Sequence, residues 1–442
     1  MSKKGLFQNI ISLGVVQVTN YALPLITVPV ISRILGPDKF GVISYAASFM
    51  AYFTLLIGYG FDLTATRKIS KDPANTSLRN QVFNEVFACK LLLFLISTFI
   101  FIICLFSFPP LALEKKVAVF SFIACIGTVF TQNWLFQAMQ DLPKIAWLSL
   151  ISKLLFTFTI LIVVQQREDY VWQPLVTSLI QIVVAVSSYI WAVRKYNLRF
   201  HKVGLGEIFN LLWEEKVVFF SLMVISLYTT SNIIILGLFQ SETQVGYYSA
   251  AQKLMEVARS VITLPLAMAL YPYIGKAFGE GKDVGLRTVH RILPVIVLFT
   301  AISGVAMLLT GPMVLKMFYG NKFEPSIPVF QLLTFIPLII ALSNVFGIQI
   351  MMNLKMDKQF FRITASCAII SVILNVFMVQ KIGYIGTAIN WLVTEIVITI
   401  SMYIVLRRNG INPIDARQFA PSAIYSQLQP VILKLSKRYE KK

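Results

Sequence analysis

Three ionisable residues lie inside an apolar stretch that is long enough to cross a lipid bilayer. The stretch covers residues 246–273 and contains Lys253, Glu256 and Arg259. At about 100° of rotation per residue, these side chains share one helix face, and Arg259 lies roughly 20 Å into the stretch, near mid-membrane. A central Arg or Lys costs about 2.5–3.5 kcal/mol when it faces lipid, so we expect this face to contact protein or water.

Two interpretations of this charged face remain open. In the first, Glu256 forms a structural ion pair with a neighbour, and Lys253 extends its ammonium group toward the membrane surface. In the second, the face lines a cationic, water-filled cavity for an anionic head group, because one carboxylate cannot neutralise two cations. Arg offers forked hydrogen-bond donors to phosphate, and Lys offers a compact charge. We therefore predict Lys253 and Arg259 as substrate-binding residues and Glu256 as a charge-balancing or coupling residue.

The composition is typical of a membrane protein. Of the 442 residues, 57% are hydrophobic and 13% are charged, whereas soluble proteins carry about 25% charged residues. Long apolar runs predict an all-α polytopic membrane protein with twelve transmembrane helices in two six-helix bundles around a central cavity. The predicted spans are residues 6–34, 41–61, 82–108, 117–138, 145–164, 172–193, 217–239, 246–273, 289–310, 326–352, 359–380 and 384–406.

Basic residues predict the orientation of these spans. Lys and Arg number 39 against 20 Asp and Glu, which gives a net charge of +19. They are concentrated in connections on one side of the twelve-span layout, and positive charge favours the cytoplasmic side, so we expect both termini in the cytoplasm. We expect the basic tail, residues 411–442, to lie on the inner membrane surface. The basic residues border apolar spans and form no basic and aromatic surface, so no nucleic-acid partner is expected.

A weak internal repeat predicts two halves. A shift of 205 residues places Gly41 on Gly246, and it also places Ser44 on Ser249 and Ala46 on Ala251. The same shift maps the first two spans onto the seventh and eighth. We predict an N-terminal six-helix bundle at 1–203 and a C-terminal bundle at 204–410 that begins with an interfacial lead-in helix, with a site between the bundles.

Four further charged residues are candidates for this site. Lys90 and Lys153 lie at similar depths from the cytoplasmic ends of their spans, which fits either snorkelling or an inner cationic vestibule. Asp62, at the end of the second span, is either interfacial or part of an inner gate. Glu395 is about halfway along the last span, where it either donates a hydrogen bond while protonated or takes part in proton coupling.

Nothing in the sequence indicates a metal site or a resident cofactor. His201 and His290 lie in basic connections and lack the spacing of a paired metal site, and the four cysteines fall within apolar runs. We therefore expect no cofactor, with H+ or Na+ coupling left open. The connections are all too short to hold an enzyme domain, so we do not expect an enzyme.

The end of the first span resembles a known family. Residues 33–41 read Arg-Ile-Leu-Gly-Pro-Asp-Lys-Phe-Gly and match the pattern R-x-L-G-x-x-x-[FY]-G. This motif, the twelve-span layout and the two-half repeat resemble the polysaccharide flippases of the multidrug/oligosaccharidyl-lipid/polysaccharide exporter superfamily. The resemblance implies translocation of undecaprenyl-pyrophosphate-linked repeat units, of O-antigen or a similar polysaccharide, from the inner to the outer leaflet of a bacterial inner membrane.

The same resemblance implies site residues and partners. Lys253 and Arg259 best match the cationic residues that line the central cavity of such proteins, and Lys153 is next. Arg33 lies in the motif itself, where a structural role at the outer mouth is equally consistent. The expected partners are the lipid-linked glycan and membrane lipids, with a polysaccharide polymerase and chain-length proteins as further candidates.

Two alternative functions compete with this hypothesis. An ion-coupled multidrug or cation antiporter of the same superfamily would need acidic residues in its cavity, whereas the embedded excess here is basic. A membrane polysaccharide polymerase would need a large outer loop with catalytic groups, and the longest predicted outer loop covers only residues 311–325. A purely structural scaffold would leave the buried charges without a purpose.

Overall fold

The described part of the chain consists mainly of helices joined by short connections. The computed structural model describes the backbone of residues 3–427 and 429, and the side chains of residues 26–263, 270, 272–427 and 429. No β-strand occurs among these residues. Within them, 8 helices are long and apolar enough to cross a membrane, or up to 9 if one bent pair counts as a single span. The protein is thus an all-α, multi-pass membrane protein, as its composition predicts.

The α-helices of this region are numbered in chain order. They are α1 Lys3–Gly58, α2 Phe61–Ser70, α3 Thr76–Ser107, α4 Pro109–Leu113, α5 Lys115–Phe122, α6 Ala124–Phe130, α7 Asn133–Ala138, α8 Leu142–Val163, α9 Trp172–Tyr196, α10 Leu205–Thr229, α11 Ser231–Phe239, α12 Glu242–Glu280, α13 Lys282–Tyr319, α14 Ile327–Leu333, α15 Ile336–Asn344 and α16 Asp357–Arg408. Short 3₁₀ turns occur at Arg167–Val171, Asn321–Ser326 and Ala416–Phe419, and a π-helix occurs at Val345–Met352.

The two longest helices each change direction at a glycine. In α1, Gly36 has φ 75° and ψ 174°, outside the helical range. In α16, Ile382 is non-helical and Gly383 has φ 58°. Both glycines occupy the left-handed region, which other residues rarely adopt. Each helix therefore covers two predicted spans, and the change of direction at Gly36 lies between the predicted spans 6–34 and 41–61.

Two predicted spans are assembled from short helices. The segment 117–138 is divided among α5, α6 and α7, and the segment 326–352 is divided among α14, α15 and the π-helix. Pro328 and Pro337 occupy the first turns of α14 and α15. Proline is tolerated there because the first backbone N–H groups of a helix have no intrahelical acceptor. Each of these prolines therefore lies at the start of a new helix, and neither lies inside a continuous one.

The predicted interfacial lead-in helix is not a separate element. Residues 205–216 are the first turns of α10, which continues to Thr229 and meets α11 at a bend of 44°. No proline interrupts residues 205–229, and Gly206 lies at the helix start, so the helix continues without a break. In these first turns of α10, Phe209 and Trp213 are exposed.

The described chain forms two compact units. The first unit contains the described residues within 1–249 and 316–324, and the second contains those within 250–315 and 325–442. Helices α10 and α11 thus belong to the first unit, together with the beginning of α12. The predicted division at residues 203 and 204 stays a prediction. The basic residues at the end of the predicted tail, within 430–442, lie outside the described residues.

Two glycines that the repeat pairs with each other meet inside the first unit. A Cβ atom on Gly41 would clash with the backbone carbonyl oxygen of Glu242, and a Cβ atom on Gly246 would clash with that of Pro37. The start of the second half of α1 therefore packs backbone to backbone against the start of α12. Such close approach requires glycine at both positions.

Candidate substrate-binding residues

The charged face predicted within residues 246–273 belongs to α12. Lys253 and Arg259 are half-buried, and Glu256 is exposed. The opposite face is packed, since Ala251 and Met255 are each 0% exposed. The three charged residues therefore lie on the accessible side of the helix, as the 3.6-residue period predicts.

Arg259 makes no direct ion pair within the described residues. No carboxylate oxygen lies within 4.0 Å of its guanidinium group there, and it forms no hydrogen bond. Glu256 instead accepts a hydrogen bond from Gln252 Nε2 at 3.3 Å. Arg259 and Lys253 are close enough to interact with the Glu256 carboxylate electrostatically. Lys253 has a partner of its own. The guanidinium donors of Arg259 are consequently available to a ligand in this structure.

Glu395 joins this group from another span. It lies on α16 and is 5% exposed, and Arg259 is close enough to act on it electrostatically. The indole N–H of Trp391 lies near the same carboxyl group without completing a hydrogen bond. The second unit thus brings together four of the predicted site residues, Lys253, Glu256, Arg259 and Glu395, although Glu395 is far from the others in sequence.

A buried polar network lies beside Glu395 and was not predicted as a unit. Asn390 Nδ2 donates to Ser371 Oγ at 3.1 Å, and Thr394 Oγ1 donates to the same oxygen at 2.7 Å. The network joins the two halves of α16, the role expected of intramembrane asparagines. Its signal in the sequence is the four-residue spacing of Asn390 and Thr394, but the partner Ser371 could not be identified from spacing alone.

Lys90 caps a helix in the first unit. Its side chain is 3% exposed, and Nζ donates to the backbone carbonyls of Thr131 at 3.2 Å and Thr128 at 3.4 Å. These carbonyls lie at the C-terminal end of α6, where backbone acceptors lack intrahelical donors and the helix dipole favours a cation. Asp62, exposed in the first turn of α2, acts on Lys90 electrostatically. Lys90 is therefore a buried helix cap in this structure. The sequence had suggested either snorkelling or an inner cationic vestibule.

Lys153 is placed differently from Lys90. It is half-buried on α8, and its ammonium group forms no hydrogen bond or ion pair with the described part of the chain. The two lysines that the sequence places at one depth therefore have unlike environments. Of the two, Lys153 is the one whose charge is available to a ligand.

Arg33 contacts the end of α13. Its side chain is exposed, and Nη2 donates to the backbone carbonyl of Met317. The helix ends at Tyr319, and the next residue, Gly320, has φ 82°. An ideal Cβ atom on Gly320 would lie 3.4 Å from Arg33 Cγ. Since the last carbonyls of a helix need external donors, this contact fits the structural role considered for Arg33.

An ion-pair cluster at the same connections was missed by sequence reasoning. Arg167 pairs with Asp38, and Lys39 Nζ lies 3.3 Å from Glu114 Oε1. Tyr170 donates to Glu114 Oε2 at 2.7 Å. The cluster joins three connections that are far apart in sequence, so no local pattern could predict it.

The described chain thus combines helical spans, charged groups on accessible helix faces and short connections. Solved structures of membrane transporters share this fold. The chain matches "Lipid II flippase MurJ, inward closed conformation" with a TM-score of 0.72 and 13% identity, covering 97% of this chain and 93% of that one. An inward-facing multidrug resistance MATE family transporter of the MOP superfamily matches with a TM-score of 0.59 and 14% identity, covering 91% and 98%. At such identities these likenesses establish the fold alone.

The chain belongs to the polysaccharide biosynthesis protein family, whose model matches residues 6–278. The "Putative O-antigen transporter" of Escherichia coli (strain K12) is 29% identical over 409 residues, or 92% of this chain and 98% of the relative. A protein of the same name from Shigella dysenteriae is 25% identical over 398 residues, or 89% and 98%. These findings confirm the resemblance to polysaccharide flippases that residues 33–41 predict. Both relatives are named as putative transporters.

Proposed function

We propose that this protein is a flippase for lipid-linked polysaccharide precursors. Its substrate is an undecaprenyl-pyrophosphate-linked oligosaccharide repeat unit, of the O-antigen type or similar. The protein moves the unit from the inner to the outer leaflet of the bacterial inner membrane by alternating access of twelve spans in two bundles. Both termini lie in the cytoplasm in this proposal. Family membership and the names of the relatives support the substrate class.

The observation that carries the proposal is the environment of Arg259. A guanidinium group on an accessible helix face, without a carboxylate within 4.0 Å among the described residues, is suited to bind a phosphate reversibly. Arg forms paired, directional hydrogen bonds to phosphate oxygens. Glu256 and Glu395 lie near Arg259, so their negative charge weakens its binding of an anion. Weaker binding favours release after translocation. Lys253 and Lys153 add positive charge along the path.

The physics of the substrate explains why such a path is needed. A diphosphate with several sugars cannot enter hydrocarbon without large desolvation costs, whereas its lipid tail can stay in the membrane. The head therefore crosses through a polar route while the tail remains between helices and lipid. An inside-negative potential favours outward movement of each negative charge by about 2.3 kcal/mol per 100 mV if the charge crosses the whole field. H+ or Na+ coupling through Glu256 or Glu395 is a further possible source of drive.

Two alternatives are less well supported. A multidrug or cation antiporter shares the fold, but its substrates carry positive charge, whereas the charged face at residues 253–259 holds two cations, Lys253 and Arg259, and one carboxylate, Glu256. A polymerase would require a catalytic extramembrane segment, and the connections between the described helices are short. Drug resistance on overexpression, together with unchanged surface polysaccharide on deletion, would favour the antiporter.

Deletion of the gene in its own bacterium tests the proposal. We expect lipid-linked repeat units to accumulate with their sugars facing the cytoplasm and surface polysaccharide to disappear. Mass spectrometry of extracted lipid carriers measures the accumulation, and a plasmid-borne copy should reverse it. Complete repeat units that still reach the outer leaflet in the deletion strain would show that this protein is not the flippase.

A further inference from the structure

A cavity in the first unit has features of a ligand site. Its volume is about 400 Å³, and small-molecule pockets span about 300–1,000 Å³. It lies where the second half of α1, the helix α4 and the α11–α12 connection meet. Its apolar wall includes Val42, Pro110, Leu113, Leu238 and Val245.

The apolar wall continues onto the surface of the protein. Leu113 is 79% exposed and Leu238 is 39% exposed, whereas Val42 and Val245 are buried. In a multi-pass membrane protein, exposed leucines at the ends of apolar helices contact lipid chains. The cavity is therefore accessible to a hydrocarbon chain that enters from the bilayer.

The cavity is also lined by a carboxylate that has no ion-pair partner within 4.0 Å among the described residues. Glu242 lines the cavity and is half-buried, and in the described structure its carboxylate takes part in no hydrogen bond or ion pair. Lys39 acts on it electrostatically, but the Lys39 ammonium is held by Glu114 at 3.3 Å. Burial, followed by the charge of Glu114, raises the pKa of Glu242.

Two basic residues follow the cavity wall closely in the sequence. Lys115 and Lys116 come directly after Glu114, which follows the wall residue Leu113, and both lysines are exposed. The ammonium group of Lys115 lies 5.2 Å from the centre of the exposed Phe106 ring, which fits a position at the membrane–water boundary. An anionic phosphate is the natural partner for this pair.

We propose that this cavity binds a phospholipid whose head group carries a primary amine. The ammonium group pairs with the Glu242 carboxylate, and the phosphate lies at Lys115 and Lys116. One acyl chain packs against the apolar wall at Val42 and Leu113. A diphosphate-linked glycan is disfavoured as the occupant, because it would bring anionic charge to Glu242 without a cation. The lipid site is independent of the proposed flippase activity.

Native mass spectrometry of the purified full chain tests the site with three probes. They are phosphatidylethanolamine, phosphatidylglycerol, which lacks the amine, and phosphatidylcholine, whose trimethylated amine cannot donate a hydrogen bond. We expect phosphatidylethanolamine to bind about fivefold more tightly than phosphatidylglycerol, the size of a partly exposed charge interaction. Phosphatidylcholine should bind less tightly than phosphatidylethanolamine. Equal binding of phosphatidylethanolamine and phosphatidylglycerol would overturn the proposal.

Variants separate the head group from the chain. Glu242→Gln should abolish the preference for phosphatidylethanolamine, while Glu280→Gln, at the other end of α12, should keep it. Leu113→Trp should weaken binding of all three lipids, and Leu309→Trp, at a leucine that is 76% exposed on α13, should not. Thermal unfolding of each variant confirms that it is folded. A Glu242→Gln protein that is folded and still prefers phosphatidylethanolamine would refute the role of the carboxylate.

Discussion

Arg259 is the residue on which substrate binding should depend most. Its accessible guanidinium group makes no ion pair within the described residues, so its removal should cost binding without disturbing packing. We expect Arg259→Ala to abolish export, a loss of about a hundredfold or more in surface polysaccharide, at unchanged protein level. Arg259→Lys should retain part of the activity. Quantified surface polysaccharide and immunoblotting measure both effects.

A matched control for Arg259 lies on α16. Arg362 is exposed and forms no hydrogen bond or ion pair with described residues. Arg362→Ala removes the same group from the same unit and should leave export unchanged. Normal export by Arg259→Ala would remove the substrate-binding role proposed for this residue.

Lys90 and Lys153 should respond differently to the same substitution. Lys90→Met leaves two helix-end carbonyls without their buried donor, which should cost about 1–3 kcal/mol of stability. Lys153→Met removes a lysine without a described partner and should change stability by about 0.5 kcal/mol or less. Thermal unfolding in one detergent compares the two. A larger loss for Lys153→Met would contradict the environments described for both lysines.

Glu242 should make stability depend on pH in delipidated protein. It lies between the predicted spans 217–239 and 246–273, and burial raises its pKa in the folded state above 4.5. The folded state therefore holds the proton more tightly than the unfolded state, so stability falls as pH rises from the unfolded pKa through the folded pKa. Glu242→Gln should raise the unfolding temperature at pH 7 and lose this advantage below about pH 4. An advantage that persists at low pH would show that ionisation is not its cause.

At the scale of elements, the close packing of α1 and α12 depends on glycine. A Cβ atom on Gly246 would clash with the backbone carbonyl of Pro37, so Gly246→Ala should destabilise the protein by about 1–3 kcal/mol. Gly279 lies in the same helix with nothing within 4 Å of an ideal Cβ. Gly279→Ala should be neutral or stabilising by up to about 1 kcal/mol, because alanine favours helix. Equal effects of the two substitutions in thermal unfolding would argue against this packing.

At the scale of the whole molecule, the proposed flippase should respond to membrane potential. In proteoliposomes that contain a fluorescent diphosphate-linked glycan, a potential that is negative on the starting side should accelerate flipping, and the reversed potential should slow it. The physical reason is the net negative charge of the moving head group. Protein-free liposomes supply the background rate. Flipping that is indifferent to potential in both directions would remove the electrical drive from the mechanism.

The sequence by itself determined the local and compositional features of this protein. The length of the apolar runs was sufficient to predict an all-α membrane protein. A segment in lipid must satisfy its backbone hydrogen bonds internally, and an α-helix does so. The 3.6-residue period placed Lys253, Glu256 and Arg259 on one face, and the gap between the apolar runs 6–34 and 41–61 located the turn in α1. The motif at 33–41 was sufficient to indicate the family.

Only the tertiary structure decided which distant groups meet. It placed Glu395 near Arg259, buried Lys90 against the end of α6, and joined Asp38 to Arg167. It also merged the predicted lead-in helix into α10. Such contacts depend on how helices pack and on which carbonyls remain without donors, and neither is encoded in the spacing along one helix. Side-chain charge can be read from a sequence, but its partner is fixed only when the chain folds.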